Sequence, residues 1–483
     1  MRELPRRPLL AAAALALLAW TSAAFQATAQ SAQSPEARVD EVFARWTNET
    51  PGCAVGVGLD GKAVLAKAYG MADLEHGVAN ATDTIFEAGS VSKQFTAAAV
   101  LILAEDGKLS LDDPVRTYVP ELPDYGAPLT IRHMLTHTSG LRDWGSLAGM
   151  GGWPRGDRVH THAHVVDILS RQTALNFPPG TRWSYSNSGY NLAAVIVSRV
   201  SGMSFAEFSR TRIFEPLGMA STSWRDDYTR IVPKRAVAYA GGRGGGGYRL
   251  DMPFENVHGN GGLLTTVGDL LTWNEHLDRP SPANAAHVGR QHEPAVLSTG
   301  RTLEYAYGLY VRPYKGVKEV SHSGSTAGYR AFLTRFPDQR VSVAVLCNAG
   351  NANATQFAHA VSDIYLGDRI NESAPRPPAI TETRGPTAGL ERDATYTPSA
   401  SDLAVFAGVY TSAEVETTFT VELRDGQLVV TGRPDRIMRL TPHSRDRFQA
   451  QGLGLVTFHR ENGAVTGFSV TQDRVWDLRF KKA

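Results

Sequence analysis

The chain has 483 residues, 42% of them hydrophobic and 20% charged, a composition ordinary for a globular protein and long enough for more than one domain. Lysine plus arginine number 49 and aspartate plus glutamate 48, so there is no basic excess to hold a nucleic acid, and no such partner is expected.

At the N-terminus Arg2, Arg6 and Arg7 precede the apolar run Leu9 to Trp20 and the small residues Ala27-Thr28-Ala29. A basic start, a short apolar centre and a small-residue cut site read as a secretory signal peptide over residues 1–29, with a secreted or periplasmic mature chain from Gln30. The run is too short to span a bilayer comfortably, no cysteine follows the cut site, and no later segment looks transmembrane. Arg6-Arg7-Pro8-Leu9-Leu10 also fits a loose twin-arginine pattern, which leaves the export route open.

Ala54 to Leu59 and Lys62 to Ala66 read as a β-hairpin closed by Asp60-Gly61. The two cysteines, Cys53 and Cys347, each lie in an apolar, strand-like run. An oxidising compartment permits a disulfide, but buried thiols also behave as small hydrophobes, and the free, structural reading is favoured.

From Ser90 the residues Phe95, Ala98, Ala99, Ile102 and Leu103 recur at helical spacing, and Gly107 sits where a helix ends. Ser90 and Lys93 therefore share one face at the start of a buried helix. Such a lysine can lose its proton near neutral pH, because desolvation disfavours the ammonium, and a serine beside it becomes a candidate nucleophile. Alone, the pair reads more simply as an N-cap serine with a solvated lysine.

Residues 108–300 mix helical stretches, such as Val165 to Arg171 and Asn191 to Val200, with Gly-, Pro- and Trp-rich loops. In Trp183-Ser184-Tyr185-Ser186-Asn187, Tyr185 and Asn187 are two apart, so an extended segment points both the same way. A phenol near a lysine ammonium would be stabilised as phenolate and act as a base, while the amide could hold a substrate carbonyl. Gly241 to Gly247 is read as a flexible loop, since no helix follows to make a phosphate cradle. His133 and His137, four apart on an expected helix, are assigned to packing and capping. His160, His162 and His164 alternate along an expected extended, solvated segment, with a weak metal site as the minor reading.

Strands are expected at Glu319 to Ser323, Tyr329 to Phe336 and Val341 to Leu346, so that both ends of this region close one sheet, with the Ser90 helix against it. In Ser321-His322-Ser323-Gly324-Ser325, Gly324 would let a substrate backbone approach, the Ser325 N–H could face an oxyanion, and His322 would add a cation or donor. Residues 371–400 look like a Pro- and Thr-rich linker. Residues 401–483 carry short alternating runs broken by Asp425-Gly426 and Asn462-Gly463, a small barrel or sandwich. The fold class expected is α/β of the α+β kind: an antiparallel sheet flanked by helices over residues 30–370, a mainly helical region within it, then the all-β unit.

Ser-x-x-Lys, Tyr-x-Asn and His-x-Gly in this order resemble the serine β-lactamase and penicillin-binding-protein superfamily. The branch is that of class C β-lactamases, D-alanyl-D-alanine carboxypeptidases, D-aminopeptidases and related esterases. Further likeness lies in Leu109 to Val115, Ile131 to Leu141, Phe214 to Met219 and Gly261 to Thr266. The resemblance implies that Ser90 is acylated, that Lys93 and Tyr185 manage its proton, and that Asn187, His322 and Gly324 contact substrate. The N–H groups of Ser90 and Ser325 would form the oxyanion hole, and no metal or organic cofactor is implied. His322-Ser323-Gly324 in place of Lys-Thr-Gly resembles peptidase and esterase members more than dedicated β-lactamases. The C-terminal unit resembles the lipocalin-like domain of some peptidases of this superfamily. The expected partner is a small-molecule or peptide substrate; oligomeric state is not readable. A non-catalytic protein that holds cell-wall fragments, with the β-unit as its binding module, is the rival reading.

Overall fold

The computed structural model describes residues 33–241, 247–375 and 390–483. The expected signal peptide, most of the glycine-rich loop and the centre of the expected linker lie outside them. Helix α1 (Pro35–Phe43) leads into β1 (Cys53–Leu59) and β2 (Lys62–Tyr69). Asp60 and Gly61 join the two strands with φ of 49° and 78°, the left-handed pair that a tight two-residue hairpin needs.

Next come α2 (Ser92–Glu105), α3 (Asn187–Ser201) and α4 (Val267–Asp278), then β3 (Tyr310–Tyr314), β4 (Val317–Thr326), β5 (Tyr329–Phe336), β6 (Val341–Cys347) and α5 (Ala354–Leu366). One antiparallel sheet has the order β3-β4-β5-β6-β1-β2, so the N-terminal hairpin does complete a sheet begun at the far end of the region. Helices α1 and α5 cover one face and α4 the other, which is why β1 is apolar at nearly every position rather than alternating. Gly56 keeps α4 close: a Cβ there would stand 3.1 Å from Leu271 Cδ1.

Three expectations change here. Cys53 and Cys347 are directly paired across β1 and β6 and form a disulfide, not two free thiols. The body of α2 does not lie on the sheet; it packs against α3 and the helix Ala285–Gln291, and only the 3₁₀ turn Gly89–Val91 before it touches β4 and β5. His160 and His164 are not solvated along an extended segment. His160 is buried with its Nε2 on the Trp153 carbonyl at 3.0 Å, and His164 caps a helix (His162–Ser170) that starts at Thr161. Among the described residues no cluster of His, Cys, Asp or Glu could hold a metal, and no single helix is long and apolar enough to cross a membrane.

The C-terminal unit is a closed antiparallel barrel of eight strands in sequence order, β7 (Gly408–Ser412), β8 (Thr417–Arg424), β9 (Gln427–Gly432), β10 (Arg436–Ser444), β11 (Arg447–Ala450), β12 (Gly454–Glu461), β13 (Ala464–Gln472) and β14 (Val475–Lys482). Asp425-Gly426 and Asn462-Gly463 again have positive φ at both positions and turn β8 into β9 and β12 into β13. Tyr410 and the phenylalanines 419, 448, 458, 468 and 480 are buried and pack ring on ring, with centroids 4.7 to 6.4 Å apart. An eight-stranded barrel has an interior just wide enough for side chains, and here large rings occupy it. Any binding by this unit would therefore fall to its surface and turns rather than its interior.

Candidate active site

The turn bearing Ser90 is fixed from below. Phe86–Glu87 pairs with Leu263–Thr265, and the Ala88 N–H donates to the Leu263 carbonyl at 2.8 Å. Ser92, wholly buried, donates its hydroxyl to the Gly89 carbonyl at 2.5 Å and accepts the Leu263 N–H at 3.1 Å. Glu87 is clamped by Arg225 through two N–H donors at 2.9 and 3.1 Å, a buried fork that leaves neither charge bare. Gly89 has φ +50°, and a Cβ on it would lie 2.5 Å from the Ser325 nitrogen. The N–H of Ser325 is thus brought beside the Ser90 turn.

Gly324 is needed for another contact than the one expected. A Cβ there would stand 2.0 Å from the Ala88 carbonyl oxygen, so the backbone that approaches β4 at this point is the chain's own, not a substrate's.

Lys93 is fully buried. Its Nζ lies 3.0 Å from Ser90 Oγ, 3.0 Å from Asn187 Oδ1 and 2.7 Å from the Asn260 carbonyl oxygen. Burial pulls its pKa well below the ordinary lysine value, and the Arg474 guanidinium pushes the same way while Asp143 opposes. Tyr185 hydrogen-bonds Ser90 and stacks 4.2 Å from the His137 ring. Burial drives the Tyr185 pKa well above 10, so the phenol keeps its proton at rest and is not the phenolate that the sequence suggested. Asn187 is the first residue of α3 rather than part of an extended strand; its N–H donates to Asp143 Oδ2 at 2.8 Å, which aims its amide at Lys93.

His322 differs most from its expected part. It is buried, its Nδ1–H donates to the Ser323 carbonyl at 2.7 Å, and its Nε2 accepts the Tyr305 hydroxyl at 3.1 Å. Burial, reinforced by Lys93, pulls its pKa down to about 3, so it is a neutral support for Tyr305 and not a cation. His137, also neutral and buried, accepts the Ser186 N–H at 3.2 Å and sits among Trp183, Tyr185, Tyr190 and Tyr305. It lies beyond the end of the short helix Ile131–Leu135 with φ +58°, so it does not share that helix with His133.

Ser90, Lys93, Tyr185, Asn187 and the Ser325 amide therefore converge, while His322 and Gly324 shape the wall behind them. Sequence reasoning missed Asn260, Asp143, Tyr305 and Arg474. Asn260 had a signal, since it stands between Gly259 and Gly261 in a loop whose Gly259 and Gly262 have φ of 97° and 89°. Asn191 orients it through Nδ2 on Asn260 Oδ1 at 2.7 Å.

Known proteins provide the frame for this geometry. A family model described as Beta-lactamase matches residues 35–366. Penicillin-binding protein 4* of Bacillus subtilis (strain 168) is 32% identical over 309 residues, 60% of this chain and 66% of that protein, so the chain spans just under two thirds of its length. A D-aminopeptidase of Gluconobacter oxydans (strain 621H) is 27% identical over 530 residues, 92% of this chain and 98% of that one. Among solved structures, the octameric penicillin-binding protein homologue from Pyrococcus abyssi matches with a TM-score of 0.61 at 25% identity, covering 93% of this chain and 99% of that one. The D-amino acid amidase from Ochrobactrum anthropi SV3 shares the fold, with a TM-score of 0.58 at 22% identity over 70% of this chain and 100% of that one. With the family model matched from α1 to the end of α5, this chain belongs to the β-lactamase family of serine hydrolases.

Proposed function

We propose that the protein is an exported hydrolase that forms an acyl-enzyme on Ser90 and cleaves an amide or ester of a small, D-amino-acid-containing peptide. The observation that carries this reading is the environment of Lys93 Nζ. A neutral amine has two N–H donors and one lone pair. The Asn187 Oδ1 and Asn260 carbonyl take the two donors, which leaves the lone pair for the Ser90 hydroxyl 3.0 Å away. Burial favours that neutral form.

In this reading Lys93 accepts the Ser90 proton as Oγ bonds to the substrate carbonyl carbon. The N–H groups of Ser90 and Ser325 receive the oxyanion. Tyr185, protonated at rest, gives its proton to the leaving nitrogen or oxygen as that bond breaks, and recovers one from Lys93. Water then enters by the same steps in reverse and releases the acid. The D-aminopeptidase relatives support a D-configured substrate. The Cys53–Cys347 disulfide supports export, since such bonds persist in oxidising compartments.

The test is hydrolysis of D-alanine p-nitroanilide together with fluorophosphonate labelling, on the wild type and Ser90→Ala. The variant is expected to stay folded, take no label and lose on the order of 10⁴-fold or more in kcat. A folded Ser90→Ala protein with near-normal turnover would overturn the mechanism.

A further inference from the structure

With His322 neutral and buried, a cation that faces the substrate must come from elsewhere. Arg474 lies in the turn between barrel strands β13 and β14, and its Cζ stands 4.8 Å from the centre of the Tyr185 ring. It is half-buried, and no carboxylate of the described residues pairs with it. An arginine withdrawn from water without an acidic partner keeps its planar fork of N–H donors for something else. Stacking on an aromatic face leaves the edge of that fork open.

The turn is also held in place. The Arg474 carbonyl accepts the Asp143 N–H at 3.2 Å and Asn176 Nδ2 at 3.0 Å, and the Trp476 N–H donates to Asn176 Oδ1 at 2.8 Å. Arg142, buried, pairs with Glu414 at 3.0 Å and donates to the Trp476 carbonyl at 3.0 Å. Asp143, which receives this turn, is the residue whose side chain holds the N–H of Asn187. The barrel is thereby locked to the element that carries the substrate-facing amide. The Arg474 charge also reaches the site groups, where it lowers the pKa of Lys93 and of Tyr185.

We propose that Arg474 is a substrate-binding residue supplied by the barrel, and that it takes the carboxylate of a substrate ending in a free C-terminus. This rests on the acyl-enzyme reading above and narrows it, since a lone guanidinium over Tyr185 favours a carboxylate-ended peptide and opposes an ammonium at the same place. It also gives the barrel a part in choosing substrates, although its own interior is filled.

The experiment compares an N-acylated D-alanyl-D-alanine peptide with the same peptide as its C-terminal amide, following release of the last residue by the full chain. The variants are Arg474→Gln and Arg474→Lys, each labelled in parallel with an uncharged fluorophosphonate. Wild type is expected to prefer the carboxylate. Arg474→Gln should lower the carboxylate-over-amide ratio of kcat/KM by on the order of 10- to 100-fold, as expected for a lost charge-assisted pair, on top of any change that losing its charge beside Lys93 and Tyr185 makes equally to both peptides and to labelling. Arg474→Lys should recover part of the preference, because it restores the charge without the fork. Equal values for the two peptides in a wild type that is labelled at Ser90 would overturn the role of Arg474 alone. A parallel fall for both peptides and for labelling in Arg474→Gln would reduce Arg474 to a support for Tyr185. A wild type that takes no label and cleaves neither peptide would overturn the acyl-enzyme reading and this proposal with it.

Discussion

Replacing Lys93 by methionine keeps an unbranched stem in the buried channel and removes the amine. Three contacts go at once: 3.0 Å to Ser90 Oγ, 3.0 Å to Asn187 Oδ1 and 2.7 Å to the Asn260 carbonyl. On the proposed mechanism the reaction loses its base, which removes on the order of 10³- to 10⁴-fold from kcat, about 4 to 5.5 kcal/mol of transition-state stabilisation. Stability responds to two opposed effects. Two acceptors are left without a donor, at about 1 to 3 kcal/mol each. Against this, every unit by which burial holds the lysine below its usual pKa opposes folding by about 1.4 kcal/mol, and the variant escapes that cost. The sign follows from proton counts: between the depressed pKa and 10.5 the unfolded chain binds the proton and the native site does not, so wild-type stability rises with pH there. The gain from Lys93→Met is therefore fully present below the depressed pKa and gone above 10.5. The assay is kcat and kcat/KM for D-alanine p-nitroanilide across roughly pH 5 to 10, with melting curves at each end. A wild-type profile that rises with pH, and its disappearance in the variant, is the expected result. A variant within tenfold of wild-type kcat, with the same acid limb, would refute the assignment of Lys93 as base.

Other perturbations bear on the wall and the frame. Gly89→Ala places a methyl 2.5 Å from the Ser325 nitrogen at φ +50°, so both the acylation rate and the melting temperature should fall, and a neutral result would disprove the tight crossing of β4 over the turn. His322→Lys would bury an ammonium where a neutral ring bonds Tyr305; a loss of several kcal/mol in denaturant titration is expected, whereas His322→Gln, which keeps a donor and an acceptor, should retain most of it. Loss of the Cys53–Cys347 bond, which closes a loop of 294 residues, should lower stability by about 5.5 to 6 kcal/mol in the chain-entropy picture; coincident unfolding curves for the oxidised protein and the Cys53→Ser/Cys347→Ser pair would refute this.

The contact of Ser90 with Lys93 was legible because they sit three residues apart where a 3₁₀ turn runs into a helix, and there spacing alone sets geometry. Tyr185 and Asn187 were legible for a related reason, although the backbone turns from extended to helical between them. Strand runs and the Asp-Gly and Asn-Gly turns were read correctly because each is local chemistry. What escaped depends on long-range packing. Apolar runs placed Cys53 and Cys347 in strands but gave no register to set them opposite each other. Histidine in a motif carries no mark of burial, so the loss of charge at His322 had to come from the rings stacked around it. Arg474 had no local signal at all, since it reaches Tyr185 only because the turn between β13 and β14 docks on Asp143 and Asn176.

The sheet order has a consequence for how this molecule comes into being. Strand β1 lies between β2 and β6, so one of its edges waits for a partner 294 residues further along the chain. A lone two-stranded hairpin is marginal in water, and an apolar open edge is a template for wrong pairing. Until Val341–Cys347 exists, β4 and β5 are not tied through the sheet to β1, and the sheet does not hold β4 against the Ser90 turn. A chain that ends short of residue 347 should therefore yield no partly active fragment but a sticky one. Nucleation that spans such a separation is slow. The same closure that gives the finished site its rigidity ties its formation to a strand made 294 residues after the first.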